Sequence, residues 1–212
     1  GVISYEEKTP LKDLTLDNLF IDIGAKDAEE ARKLVQIGDF AVYEAPRFEQ
    51  NGVLCGPYLD NRIGCVTLLL MMEQLADKEI ENDLYFVFTA QEEVGLRGAG
   101  AAAFAVEPDA AIAVDVTDTG DLPEMKSAMA VELGKGPAVK VMDRSVICTP
   151  AVVDALEQAA KDCGVSAQRE ILLCGGTDTS ALQKARAGVQ AGAVSIPTRY
   201  IHSPSELCAV SD

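Results

Sequence analysis

The chain has 212 residues, of which 48% are hydrophobic and 25% charged, an ordinary globular composition that excludes disorder of the whole chain. Eighteen Lys and Arg against 34 Asp and Glu leave a formal net charge of -16. Such a surface repels phosphate backbones and anionic lipid, which argues against nucleic-acid and membrane partners.

Taken in chain order, the first 55 residues read differently from the rest. A strand is expected over 19–24, a short helix over 28–36, a second strand over 38–43 and a polar turn over 47–52. This stretch reads as part of a small β-rich domain. From Leu54 onward helices and strands alternate. A helix over 62–76, apolar over most of its surface, is expected to be buried, and 84–89 (Leu-Tyr-Phe-Val-Phe-Thr) reads as a strand covered on both faces. An Ala-rich helix over 96–106 and a strand over 110–115 follow. After the Gly134-Lys-Gly-Pro137 turn comes the segment 138–142. A helix over 150–164 opens on Pro and closes on Gly, and its residues Val152, Leu156, Ala159 and Cys163 repeat at helical spacing. The short run 171–173, a helix over 178–187 and a strand over 190–196 complete the series. Alternation of this kind implies a three-layer α/β domain with a parallel or mixed sheet, in which ligands bind at the carboxyl ends of strands.

The longest apolar run, 66–72 with Thr67 inside it, is far shorter than a membrane span, and no signal peptide is visible. The chain opens on Gly1 rather than Met, so its natural start is expected to lie elsewhere. Six cysteines (Cys55, Cys65, Cys148, Cys163, Cys174 and Cys208) are scattered without a Cys-x-x-Cys pair. They read as small apolar residues in a reducing cytosol.

Acidic residues recur where strands are expected to end. Asp60 precedes the apolar helix, Glu92 and Glu93 follow the strand ending at Thr89, Asp115 ends its own strand, and His202 follows the strand ending near Ile196. Ionised groups beside such apolar segments are expensive to bury unless paired or bound to a cation, so their convergence suggests a metal site. Singly, each has a plainer explanation. Asp60 is an acceptable helix N-cap, Glu92 and Glu93 suit a solvated loop, and a lone His is more often structural than a ligand. Gly175-Gly-Thr-Asp178 reads as a turn with an N-cap.

The joint pattern resembles the cytosolic tetrahedral metallo-aminopeptidases, which include glutamyl and deblocking aminopeptidases and proteins once labelled endoglucanase M. The resembling segments are Leu59-Asp-Asn-Arg-Ile-Gly-Cys65, Phe86-Val-Phe-Thr-Ala-Gln-Glu-Glu-Val-Gly-Leu-Arg-Gly98, Ala111-Ile-Ala-Val-Asp-Val-Thr117, Gly134-Lys-Gly-Pro-Ala138, Gly175-Gly-Thr-Asp178 and Ser195-Ile-Pro-Thr-Arg-Tyr-Ile-His-Ser-Pro204. The resemblance implies two divalent metals, zinc or cobalt, bridged by Asp60, with Glu93 and His202 on one and Asp115 on the other. It makes Glu92 the general acid/base, and places Thr177, Asp178 and Arg199 beside the peptide substrate. In the family the second metal also takes a histidine from an earlier part of the catalytic domain, and His202 is the only histidine here.

The resemblance further implies a zinc-peptidase-type catalytic domain split by a small PDZ-like β domain used in oligomerisation. Residues 1–55 would be the second part of that insertion, and 56–212 the catalytic domain without its N-terminal part and closing helix. A cytoplasmic aminopeptidase acting on peptides, a homo-oligomer that is dodecameric in the full-length family, is the expectation. A related two-metal amidohydrolase or deacylase, or a non-catalytic fragment serving only in assembly, is the alternative. A two-carboxylate glycosidase fits poorly, since 5% of residues are aromatic and none is Trp to stack on sugars.

Overall fold

The computed structural model describes residues 1–123 and 129–212. The chain divides into two compact units, Gly1–Val42 and Tyr43–Asp212. The division falls earlier than the boundary near residue 55 expected from sequence, because residues 48–56 pair into the sheet of the second unit.

In the first unit, β1 (Val2–Tyr5) and β2 (Leu19–Asp22) form an antiparallel pair. Helix α1 (Ala28–Leu34) follows, with the Asp27 carboxylate accepting from the amides of Glu29 and Glu30 as an N-cap. No residue of this unit is fully buried, so it has no core of its own. The strand expected over 38–43 does not form. Phe40 and Val42 are exposed there, and an extended segment without a ladder partner leaves its amides to water.

The second unit is built on a seven-stranded mixed sheet. Strands β3 (Phe48–Gln50) and β4 (Val53–Gly56) form a hairpin turning at Asn51-Gly52. Helices α2 (Leu59–Leu75) and α3 (Arg97–Val106) precede β5 (Ala110–Thr117) and β6 (Ala138–Met142). Helix α4 (Pro150–Asp162), β7 (Gln168–Ile171), α5 (Thr179–Gln183), β8 (Gln190–Arg199) and β9 (Glu206–Ala209) complete the chain.

The sheet runs β3-β4-β9-β8-β6-β7, with β5 also paired to β8. β8 is its spine. It lies parallel to β5 from Ala110↔Gln190 to Thr117↔Pro197, and antiparallel to β6 and β9. Leu59, Val116, Ile196 and Cys208 form one core cluster, and Val139, Val146, Cys148 and Val153 another beneath α4. All six cysteines are free, with Cys55, Cys148 and Cys208 buried.

Two further expectations are corrected. Residues 84–89 join no ladder, and Leu84, Tyr85, Val87 and Phe88 are exposed. Helix α2 buries only Leu59 and Gly64, while Val66, Leu69, Leu70, Met71 and Met72 face solvent. Apolar composition shows which segments favour burial, but among the described residues nothing covers these. The helix expected over 178–187 is shorter, and the strand expected over 190–196 continues to Arg199. No described helix is long and apolar enough to cross a membrane.

The Gly134–Pro137 turn needs its second glycine more than its first. Both have positive φ, +75° and +95°, and their amides donate to the two oxygens of Asp212 at 2.7 and 2.9 Å. A Cβ on Gly134 meets nothing within 4 Å, whereas one on Gly136 would lie 1.8 Å from the Ser166 carbonyl oxygen. Gly134→Ala is expected to cost about 1 kcal/mol from backbone strain alone. Gly136→Ala should cost upwards of about 3 kcal/mol, because backbone must move. Urea unfolding of the two variants checks the difference.

Candidate active site

Asp60, at the irregular start of α2, is held at two points. Its amide donates to Glu206 Oε2 at 2.9 Å, and the neighbouring Asn61 side chain donates to the Val114 carbonyl at 2.8 Å. The Asp60–Asn61 peptide is cis. Val114 directly precedes Asp115, so Asn61 ties the helix start to the strand end that carries the second carboxylate. Glu92 and Glu93 sit in a tight turn in which the Glu92 carbonyl accepts from the amides of Gly95 and Leu96. The turn closes where the Gly98 amide meets the Ala90 carbonyl at 2.9 Å. A Cβ on Gly98 would lie 2.5 Å from the Ala90 nitrogen, so only glycine permits this closure.

His202 follows β8, and its amide donates to Glu206 Oε1 at 3.0 Å. Its Nε2 lies 3.0 Å from Asp60 Oδ2 and 3.3 Å from Glu93 Oε2. Asp60, Glu93 and His202 each present a ligand atom, and the three atoms lie within 4.8 Å of one another. Asp115 is buried at the end of β5, where its Oδ1 accepts from the Val116 amide.

Three carboxyls are displaced far from their ordinary range. Asp60 is pushed up to about 6 by burial and then by Glu93. Glu92 is pushed up to about 7 by burial, then by Glu93, Asp178 and Asp60. Asp115 is pushed up to about 8 by burial, against the Val116 amide, with Asp60, Glu92 and Asp178 adding to the rise. Crowded negative charge with a single imidazole among it fits a cation. Carboxylate oxygens and a neutral imidazole are the donors divalent zinc or cobalt takes, so the residues present suit such an ion.

The remaining sequence candidates are placed differently. Thr177 is buried, and its hydroxyl is engaged with Asp143 Oδ2 at 3.2 Å and Thr179 Oγ1 at 2.9 Å. Asp178 faces the acidic cluster. It accepts from Thr89 Oγ1 at 2.7 Å, and burial raises its carboxyl. Arg199 forms a two-pronged ion pair with Asp121, at 2.6 and 3.2 Å, which holds the Asp121 carboxyl down at about 2 even against burial.

Sequence reasoning missed Glu206. It is 2% exposed, and its two oxygens take the backbone amides of the nearby His202 and of Asp60 from a distant part of the chain. An acidic residue in a short apolar strand, Glu206-Leu-Cys-Ala209, was the available signal.

A model of the M42 glutamyl aminopeptidase family matches residues 3–212. A relative from Acetivibrio thermocellus is 49% identical over 213 residues, spanning 100% of this chain and 64% of its own length. The TET aminopeptidase of a marine sediment archaeon, Thaumarchaeota archaeon SCGC AB-539-E09, superposes with a TM-score of 0.94 at 34% identity, over 100% of this chain and 63% of that one. The TET1 peptidase of Pyrococcus horikoshii, which can assemble into a tetrahedron or a large octahedral shell, superposes at 0.84 with 35% identity, over 98% and 60%. The chain therefore spans about 60% of the length of the proteins it matches.

Two outcomes follow from this geometry. A carboxyl whose folded pKa is raised contributes stability below its unfolded pKa and loses it as pH rises through the folded value. For Asp115 that window runs from 3.8 to about 8. Thermal unfolding in chelator should therefore show Asp115→Asn more stable than wild type at pH 8, by a few kcal/mol at roughly 1.4 kcal/mol per pH unit, and level with it near pH 3.5. Glu206→Gln presents one backbone amide with a donor instead of an acceptor. Zinc titration should show affinity lowered roughly 10- to 100-fold, as loss of an outer hydrogen-bond partner does.

Proposed function

The chain belongs to the M42 glutamyl aminopeptidase family, and from that membership we propose that its acidic cluster is the active site of a metal-dependent aminopeptidase that removes N-terminal residues from peptides. The observation that carries the reading is the convergence of Asp60, Glu93 and His202 ligand atoms within 4.8 Å, beside a Glu92 carboxyl lifted to about 7. Asp60, Glu93 and His202 would hold one divalent cation, zinc or cobalt, and Asp60 and Asp115 a second. Such ions polarise a scissile carbonyl and acidify a water.

The chain's own residues do the rest. Glu92 stands next to a ligand without being one of the three, so its carboxylate is left to take a proton from the attacking water and return it to the leaving amine. A group near pKa 7 suits both directions of that transfer at neutral pH. The Asp178 carboxylate, which is not among the proposed ligands, is left to complement the ammonium of a free peptide N-terminus. Asp60 and His202 are kept in register by Glu206, so the ligand atoms are set before any ion arrives. Arg199 serves to fix Asp121 rather than to contact peptide.

The first unit, Gly1–Val42, would belong to a PDZ-like insertion, and Tyr43–Asp212 to the catalytic domain, in a protein that works in the cytoplasm as a homo-oligomer. The tetrahedral or octahedral shells that the P. horikoshii relative can form support an assembly of this kind. A second reading has its own observation. The chain contains one histidine, and the resemblance implies another on the second metal, so this chain alone would be inactive or serve only in assembly. A two-metal amidohydrolase or deacylase shares the same residues and differs in substrate.

The test is metal stoichiometry with aminoacyl-p-nitroanilide hydrolysis, on this chain and on the chain joined to the remaining segment of its A. thermocellus relative. The joined protein should bind about two metals per chain. Glu92→Gln should keep them while kcat falls roughly 100- to 10,000-fold, the usual contribution of a general base. Normal turnover by Glu92→Gln, or no divalent metal in the joined protein, sinks the mechanism. Turnover of N-acyl amino acids in place of aminoacyl substrates would favour the deacylase.

A further inference from the structure

Behind the acidic cluster lies a charged group that the reaction above does not use. Lys140 on β6 and Glu170 on β7 are register partners, and both side chains are 0% exposed. The Lys140 ammonium pairs with Glu170 Oε1 and lies 3.9 Å from Asp143 Oδ2, itself at 0%. Burying three charges in a sheet is costly, and apolar side chains of the same volume commonly hold such a site at least as well. Stability alone therefore gives no reason for the group to be there.

Its contacts supply one. Glu170 Oε1 also accepts from Thr117 Oγ1 at 2.9 Å, and Thr117 is two residues beyond Asp115 on β5. Asp143 Oδ1 accepts from the Ser145 amide, the Ser145 hydroxyl and the Val146 amide, which fixes that carboxylate. Asp143 Oδ2 accepts from Thr177 Oγ1 at 3.2 Å. Thr177 precedes Asp178, whose Oδ2 accepts at 2.7 Å from Thr89, three residues before Glu92. The chain of contacts thus ties together the strand end of Asp115, the turn of Asp178 and the segment leading to Glu92. With Lys140, Asp143, Thr177 and Glu170 all buried, none can touch a substrate.

We propose that Lys140 is a positioning residue of the active site. It acts through Glu170 and Thr117 on the strand end that carries Asp115, and through Asp143 and Thr177 on the turn that carries Asp178. The proposal rests on the reading of the acidic cluster as an aminopeptidase site. Thr177 is the joint at which the buried pair is coupled to that turn.

Lys140→Met removes the charge at similar length but leaves two carboxylates buried without it, and can fail to fold. Thr177→Val removes only the hydroxyl at the joint, and Thr177→Ser restores it. Hydrogen exchange is read at the amides of Ser180 and Ala181, which donate to the carbonyls of Thr177 and Asp178. Thr177→Val should speed exchange there about tenfold, the effect of roughly 1.4 kcal/mol of local opening, while α4 amides stay as in wild type. Thr177→Ser should return to wild-type exchange, and Lys140→Met, where it folds, should loosen the same amides. In the joined, metal-loaded protein Thr177→Val should raise KM for aminoacyl-p-nitroanilides about fivefold or more with kcat within about twofold, the pattern of lost ground-state binding. Unchanged exchange at Ser180 and Ala181, loosening spread evenly over α4, or Ser behaving like Val overturns the proposal. Absence of any turnover in the joined wild type would instead sink the aminopeptidase reading, while exchange in this chain still decides the positioning role.

Discussion

Like charges packed at short range repel, and the candidate site is an arrangement that holds carboxylates together against that repulsion. Asp60, Glu92 and Asp115 are all pushed well above the ordinary range, with burial the first cause in each and neighbouring carboxylates adding to the rise. Such a cluster persists only if the backbone beneath it is fixed by other means. Glu206 supplies part of that by capturing the amides of Asp60 and His202, and Asn61 supplies another part by reaching the Val114 carbonyl. The stored repulsion is what gives a divalent cation its advantage here, since an ion removes the penalty that each carboxylate imposes on the next.

The sheet is organised to make this possible. β8 lies parallel to β5 through their whole shared length, so Asp115, near the carboxyl end of β5, stands level with Ser195 in the middle of β8. β9 then folds back antiparallel to β8 and brings Glu206 under the turn that carries His202. The Lys140–Glu170 pair performs the corresponding task farther along the sheet. Backbone clamps and a buried ion pair are two solutions to one problem: fixing acidic segments that come from distant parts of the chain.

Local pattern and tertiary outcome part company where a segment needs a partner. Residues 84–89 have the composition of a covered strand, and α2 has the composition of a buried helix, and in this chain, which spans about 60% of the length of the proteins it matches, both present apolar side chains to solvent. Hydrophobicity fixes a preference for burial but not its fulfilment, because a strand requires another strand and an apolar helix face requires a surface. Residues 48–56 show the converse. They looked like part of a separate β-rich stretch and instead form the edge of the large sheet, since pairing with β9 is a long-range event that no local window contains.

The same division runs through the site. The alternation of elements was enough to read an α/β domain and the acidic residues a metal site, while the Gln91-Glu-Glu-Val-Gly95 and Arg199-Tyr-Ile-His-Ser-Pro204 segments carried the resemblance to the metallo-aminopeptidases. Tertiary structure alone decided that Glu206 would hold Asp60 and His202 together, that Thr177 would turn inward to Asp143, and that Arg199 would be taken up by Asp121. Apart from that of Glu206 with His202, four residues away, these are contacts between residues far apart in sequence, set by how the strands order and pair. A side chain's partner is fixed by the packed sheet around it, whereas its chemical type is written in the chain.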